Sequence, residues 1–199
     1  MSFLDERQQK LVLDLLGREL SKDEFYRQFP VAPSEARALG LDVLRRALRE
    51  HDADDVEFGL LIGFALGMTP DYVDTLHTLA AEDWHTRHED VIDALDGLIP
   101  SGAPVSAEVL HHAALSAFPY RDDDEAFALG VKCIWALSHL RTPEAIERLG
   151  ELLASENPIL EGNAETRLYA IAEDDKETST LKRRANELLA AHMVHSSRG

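Results

Sequence analysis

The chain has 199 residues, 45% of them hydrophobic, a single cysteine and a formal net charge of −17. That length makes one domain or one short repeat array with a real apolar core. The charge argues against nucleic acid and anionic membrane as partners, and one cysteine cannot form an internal disulfide, which fits a reducing, cytoplasmic setting.

Residues 4–16 place Leu4, Leu11, Leu15 and Leu16 at helical spacing, with Gly17 as a stop. Ser21 and Glu24 form a capping-box pattern that opens a short helix, ended before Pro30 and Pro33. Ser34 is placed to cap a longer helix with Leu39, Val43, Leu44 and Leu48 on one face and Arg37, Arg45, Arg46 and Arg49 around the rest. Asp54 or Asp55 starts the next helix, through Phe58, Leu61, Ile62, Ala65 and Leu66 to Gly67. Thr69-Pro70 begins another, with proline at the first helical position. A turn is expected at Glu82 and Asp83, then a helix over residues 85–98 and a break through Pro100, Gly102 and Pro104.

The next helix carries Val109, Leu110, Ala113, Ala114 and Ala117. Residues 120–140 then read as the central helix of the chain. It opens on Asp122, Asp123, Asp124 and Glu125, which suit a helix start. Its apolar residues cover two adjoining faces, one with Leu129, Cys133 and Ala136, the other with Phe127, Val131, Ile134 and Trp135. Such a helix is expected between neighbours, with Trp135 and Cys133 in the core. Thr142-Pro143 and Asn157-Pro158 open two more helices, and a last one starts near Ser179. No stretch alternates with period two for long enough to be a strand, so the fold is expected to be all α.

The two Thr-Pro starts lie 73 residues apart. At that offset Leu76 matches Leu149, Leu79 matches Leu152, Ala81 matches Ala154 and Leu95 matches Leu168. The offset covers two helix pairs of about 36 residues each, the period of α-solenoids. The expected organisation is one α-helical domain over residues 1–199: an N-terminal helical cap at 1–51, stacked repeats at 52–195 and a frayed tail at 196–199.

The runs WHTRHEDVIDAL (residues 84–95) and FPYRDDDEAFALGVKCIWALSHLRTPEAIERLGELLASENPIL (residues 118–160) resemble a family of small bacterial HEAT-like repeat proteins. Its tryptophan-histidine pair, His-Glu-Asp cluster, aromatic followed by acids and Lys-Cys-Ile-Trp-Ala-Leu segment recur here in order, and the likeness covers residues 83–168. The resemblance implies a HEAT-like α-solenoid and the role of an immunity protein for polymorphic or contact-dependent toxins. The Pro/Gly-containing connection at residues 99–106 departs from the short loop such a stack would use.

Residue types that could carry chemistry are sparse. His85 and His88 share a helix face and precede Glu89 and Asp90, but this order is neither of the known two-histidine zinc signatures. Their expected role is to cap the helix and bond across the turn near Trp84. His111 and His112 have only Glu108 at helical spacing. The four acids at 122–125 lack the glycine and ligand spacing of a calcium loop. No phosphate-cradling loop, nucleophile elbow or CxxC occurs. The chain therefore reads as a non-enzyme with no cofactor and no metal.

Charge supplies the functional expectation. Residues 52–125 hold seventeen acids against only Arg87 and Arg121, whereas residues 1–51 balance nine against nine. The reading is an immunity protein that neutralises a cationic toxin domain stoichiometrically, through Trp84, His85, His88, Glu89, Asp90, Tyr120, Asp122, Asp123, Asp124 and Glu125. The alternative is a general HEAT-repeat adaptor or assembly factor for an endogenous protein. A DNA-binding repeat protein ranks last, because only the helix of Arg37 to Arg49 is basic.

Overall fold

The computed structural model describes residues 3–32, 35–121 and 127–196. Every regular element among them is helical, and none is long and apolar enough to cross a membrane. The chain divides into two compact units, Met1–Pro104 and Val105–Gly199.

The first unit contains α1 (Glu6–Leu16), α2 (Lys22–Gln28), α3 (Ala36–Glu50), α4 (Ala53–Leu66), α5 (Val73–Leu79) and α6 (His88–Leu98). Asp5 caps α1 through a reciprocal pair of bonds with Gln8, and Ser21 caps α2 likewise with Glu24. Leu11, Val12, Phe25, Phe29, Val43, Ile62 and Leu66 form one cluster, in which Phe25 and Phe29 stack at 4.8 Å. The sequence boundary at residue 51 falls inside this unit, where α3 packs along α4.

That packing is close because both helices present glycine. A β-carbon on Gly40 would meet the Gly59 carbonyl oxygen at 2.8 Å and Tyr72 Oη at 2.7 Å. Tyr72 is buried, and its hydroxyl donates to the Arg37 carbonyl at 2.7 Å. Burial pushes that hydroxyl up to about 12, so it stays a donor. The tyrosine thereby ties the Thr69-Pro70 turn, a single 3-10 turn before α5, onto α3.

The second unit contains α7 (Ala107–Leu115), α8 (Ala128–Leu140), α9 (Pro143–Leu152), α10 (Pro158–Glu173) and α11 (Ser179–Ser196). Thr142 accepts from the Ala145 amide, and Asn157 from the Ile159 and Leu160 amides, so both Pro-initiated helices carry side-chain caps. Helix α8 packs on α7, α9 and α10 and buries Leu129, Cys133, Ile134, Ala136 and Leu137. It is an inner helix, as its sequence predicts. Arg141, with φ 51°, turns the chain out of α8 and bonds Glu177 at 2.8 Å and Asp174 at 3.0 Å.

Two expectations about α8 change, and a third falls outside the described residues. The helix begins at Ala128 rather than near residue 120, because Phe127 adopts φ 50° and ψ 41°, a left-handed geometry that an α-helix cannot pass through. Pro119–Arg121 is a separate 3-10 turn, and the acids expected to open the helix, Asp122, Asp123, Asp124 and Glu125, lie outside the described residues, as does Ser34. Trp135 is not core: it is 43% exposed, with the Arg167 guanidinium 3.8 Å above its ring. Cation–π attraction and the aliphatic stem of the arginine cover one face of the indole, and His139 meets the ring edge-to-face at 6.1 Å.

The leucines matched by the 73-residue offset are equivalent in burial. Leu76, Leu79 and Leu95 in the first unit and Leu149, Leu152 and Leu168 in the second are all at most 1% exposed, while Ala81 and Ala154 are both exposed.

Candidate functional site

The connection from α5 to α6 departs from its counterpart in the second unit. There, Asn157-Pro158 caps α10 in the ordinary way. At the matching positions stand Trp84 and His85, and α6 opens three residues later, at His88, with no side-chain cap. The helix expected from residue 85 is therefore one turn shorter, because residues 84–87 form a corner instead of a helical start.

The corner is built on imidazole-to-backbone bonds. His85 Nε2 lies 2.9 Å from the Leu79 carbonyl at the end of α5, and His88 Nε2 lies 2.7 Å from the Glu82 carbonyl. Both acceptors belong to the tail of α5 and its following turn, where carbonyls need donors. The Arg87 backbone N–H donates to His85 Nδ1 at 3.1 Å. The two imidazoles are buried and stacked, with centroids 4.3 Å apart and planes at 16°. Burial lowers the His85 imidazole from its ordinary value, against the pull of the Leu79 carbonyl and of Glu82. The bonding of these two side chains across the turn follows the sequence expectation. With Nε2 of each donating to a carbonyl, neither ring offers that nitrogen to a metal, and no group of three potential ligands occurs among the described residues.

Trp84 packs its half-buried ring edge-to-face with His85 at 5.2 Å and with His51 at 5.2 Å, while its Nε1–H donates to the Glu82 carboxylate at 2.7 Å. His51 ends α3 in the left-handed region, at φ 51°. Arg87 pairs with Glu57 of α4 and reaches Asp90 at 3.8 Å. Glu89 and Asp90 occupy the first turn of α6, where acids suit the helix dipole. The structure thus brings Trp84, His85, His88, Glu89 and Asp90 together at one corner and adds His51, Glu57, Glu82 and Arg87, which sequence reading did not include among the site residues. His51 was hidden because its role depends on where α3 ends. Glu57 was hidden because its partner, Arg87, lies in the corner before another helix.

The segment that contains this corner is acidic. Residues 52–104 carry twelve acids and one cation, Arg87. Asp54, Asp71, Asp74 and Asp83 are exposed, and among the described residues none of the four forms an ion pair.

Tyr120 belongs to the second unit. It is 40% exposed, stacked on Phe118 at 6.0 Å and beside the Arg121 guanidinium at 5.9 Å. Nearby lies a cavity of about 430 Å³ lined by Ala114, Phe118, Arg121, Phe127, Asn157 and Leu160 among others. His111, read from sequence with only Glu108 at helical spacing, meets Glu151 of α9 at 3.3 Å in a network with Arg148 and Glu108 that joins α7 to α9. Compared with known proteins, the chain matches no family model, no curated protein and no solved structure.

Proposed function

We propose that the chain is a HEAT-like helical-repeat binding protein that neutralises a cationic protein, a bacterial toxin domain, by stoichiometric binding without turnover. The observation that carries this reading is the charge of residues 52–104, twelve acids to one arginine, with Asp54, Asp71, Asp74 and Asp83 exposed and unpaired among the described residues. Carboxylates left to solvent raise the association rate with a basic partner and make it depend on salt. Trp84, held by Glu82, His51 and His85 within that acidic segment, is the anchor that sets the dissociation rate. The solenoid part of the reading is supported by the Thr-Pro module, whose matched leucines are buried alike in both copies.

The test is co-purification with the products of the genes that neighbour this one, followed by stopped-flow association with any basic toxin domain among them. Asp71→Lys, Asp74→Lys and Asp83→Lys together are expected to slow association at least about tenfold at low salt and to flatten its salt dependence, with helicity unchanged. Equal rates in the variant and the parent refute the acidic mechanism. A complex with an endogenous protein and none with the toxin moves the reading to an adaptor.

A further inference from the structure

The binding reading uses the surface of the α5–α6 corner and leaves its interior unexplained. His85 and His88 are both at 1% exposure, stacked at 4.3 Å. A carbonyl only accepts, so His85 Nε2, facing Leu79, carries a proton. Nδ1 of the same ring accepts the Arg87 N–H and carries none. His85 is therefore the neutral Nε2–H tautomer, and both its nitrogens are satisfied only in that form. A proton added at Nδ1 would point at the Arg87 N–H, remove that bond and place a cation in a buried site against a second imidazole.

Titratable and charged groups are carried by each neighbouring element. The turn supplies Glu82, whose carboxylate is held by Trp84 Nε1, and exposed Asp83. Arg87 is paired with Glu57 of α4 and Asp90 of α6, and Glu89 follows His88 in the chain. Helix α3 supplies His51 across the Trp84 ring, and α5 carries half-buried His77 and exposed Asp74. Glu82 favours a charged His85; burial opposes it and is the larger influence. His88 sits at the first position of α6.

We propose that the stacked His85–His88 pair is an acid-operated latch: protonation of His85 breaks its bond from Arg87 and frees Trp84 and the corner at residues 84–87, while the helices behind it stay packed. What is lost lies within residues 79–88. Val91, Ile92 and Leu95, which seat α6 in its unit, carry no titrating group.

Trp84 and Trp135 are the only tryptophans, so Trp135→Phe, at an exposed position, leaves Trp84 as the sole emitter. Emission and far-UV circular dichroism would be followed together from about pH 7.5 to about pH 5. The expected result is a shift of Trp84 emission to longer wavelength below pH 6.5, the ordinary histidine value, at constant helicity. His85→Gln, whose amide can still donate to the Leu79 carbonyl but does not titrate, is expected to lose the shift. His51→Asn, compatible with the left-handed backbone there, is expected to keep it. A shift that persists in His85→Gln, disappears in His51→Asn or accompanies loss of helicity overturns the latch, as does emission that does not move. Ring nitrogen NMR of the unaltered chain gives an independent reading: an Nδ1–H tautomer of His85 at neutral pH, or its titration at the ordinary value, also overturns it. None of these measurements involves a binding partner, so they stand or fall separately from the binding reading.

Discussion

Gly40 and Trp135 show how much a single residue owes to neighbours far away in the chain. A β-carbon on Gly40 would meet the Gly59 carbonyl oxygen at 2.8 Å, and a backbone atom cannot rotate aside. Gly40→Ala is expected to cost about 1–3 kcal/mol, read as a lower denaturation midpoint at unchanged m-value. From sequence, Gly40 is only a weak spot in a helix; its purpose is visible once α4 lies against it. Ile134 and Trp135 are adjacent, and periodicity placed both in the core. Ile134→Ala is expected to cost about 2–5 kcal/mol, because the side chain is fully buried. Trp135→Ala should cost about 1 kcal/mol or less, the value of a half-exposed ring under one guanidinium. Parallel melting of the two variants checks the contrast. The apolar faces of α8 are too broad for spacing alone to say which edge meets water, and Arg167, which covers the ring, lies in α10.

Helix starts were legible where the cap is local and illegible where it is tertiary. Ser21 with Glu24, Thr142-Pro143 and Asn157-Pro158 open helices as their residue types require. The starts of α6 and α8 were missed, one delayed by the imidazole bonds to α5, the other by the left-handed Phe127. Those bonds join ring nitrogens to backbone carbonyls, and a carbonyl leaves no trace in residue type. Even identical dipeptides differ: Thr142 accepts the Ala145 amide, whereas Thr69 makes no side-chain cap bond. Thr142→Ala is therefore expected to cost about 1 kcal/mol and Thr69→Ala far less, a difference that thermal melts of the two variants would report.

At the scale of the whole chain, protons and salt act on a strongly acidic body. Burial lowers His77, His85 and His111 from the ordinary value of 6.5. The unfolded chain then takes up protons that the folded chain resists, so stability is full above pH 6.5 and falls as pH drops below it. Glu147 is held below 4.5, first by its hydrogen bond from Arg184, and its contribution is present at neutral pH and lost as pH falls further. Melting temperature is expected to fall in two stages on acidification, the first below 6.5 and the second below 4.5. A flat profile between pH 7 and pH 5 would contradict the buried-histidine account. At neutral pH the excess of acids repels itself, so raising salt from about 10 mM to about 150 mM should raise the melting temperature by screening. The acidity was plain from composition; which acids stay unpaired required the positions of Arg46, Arg87 and Arg148 beside their carboxylates.

Cys133 has a practical consequence. It is fully buried in α8, and burial pushes its thiol far above the usual range, so at neutral pH it holds almost no thiolate. A maleimide dye has nothing to attack on the native chain. A cysteine introduced at an exposed position, as in Asp83→Cys, becomes the single reactive thiol, with no need to remove the natural one from the centre of its helix. A fluorophore placed there sits one residue from Trp84 and would report partner arrival from the protein's own side, in the folded state and without perturbing the core.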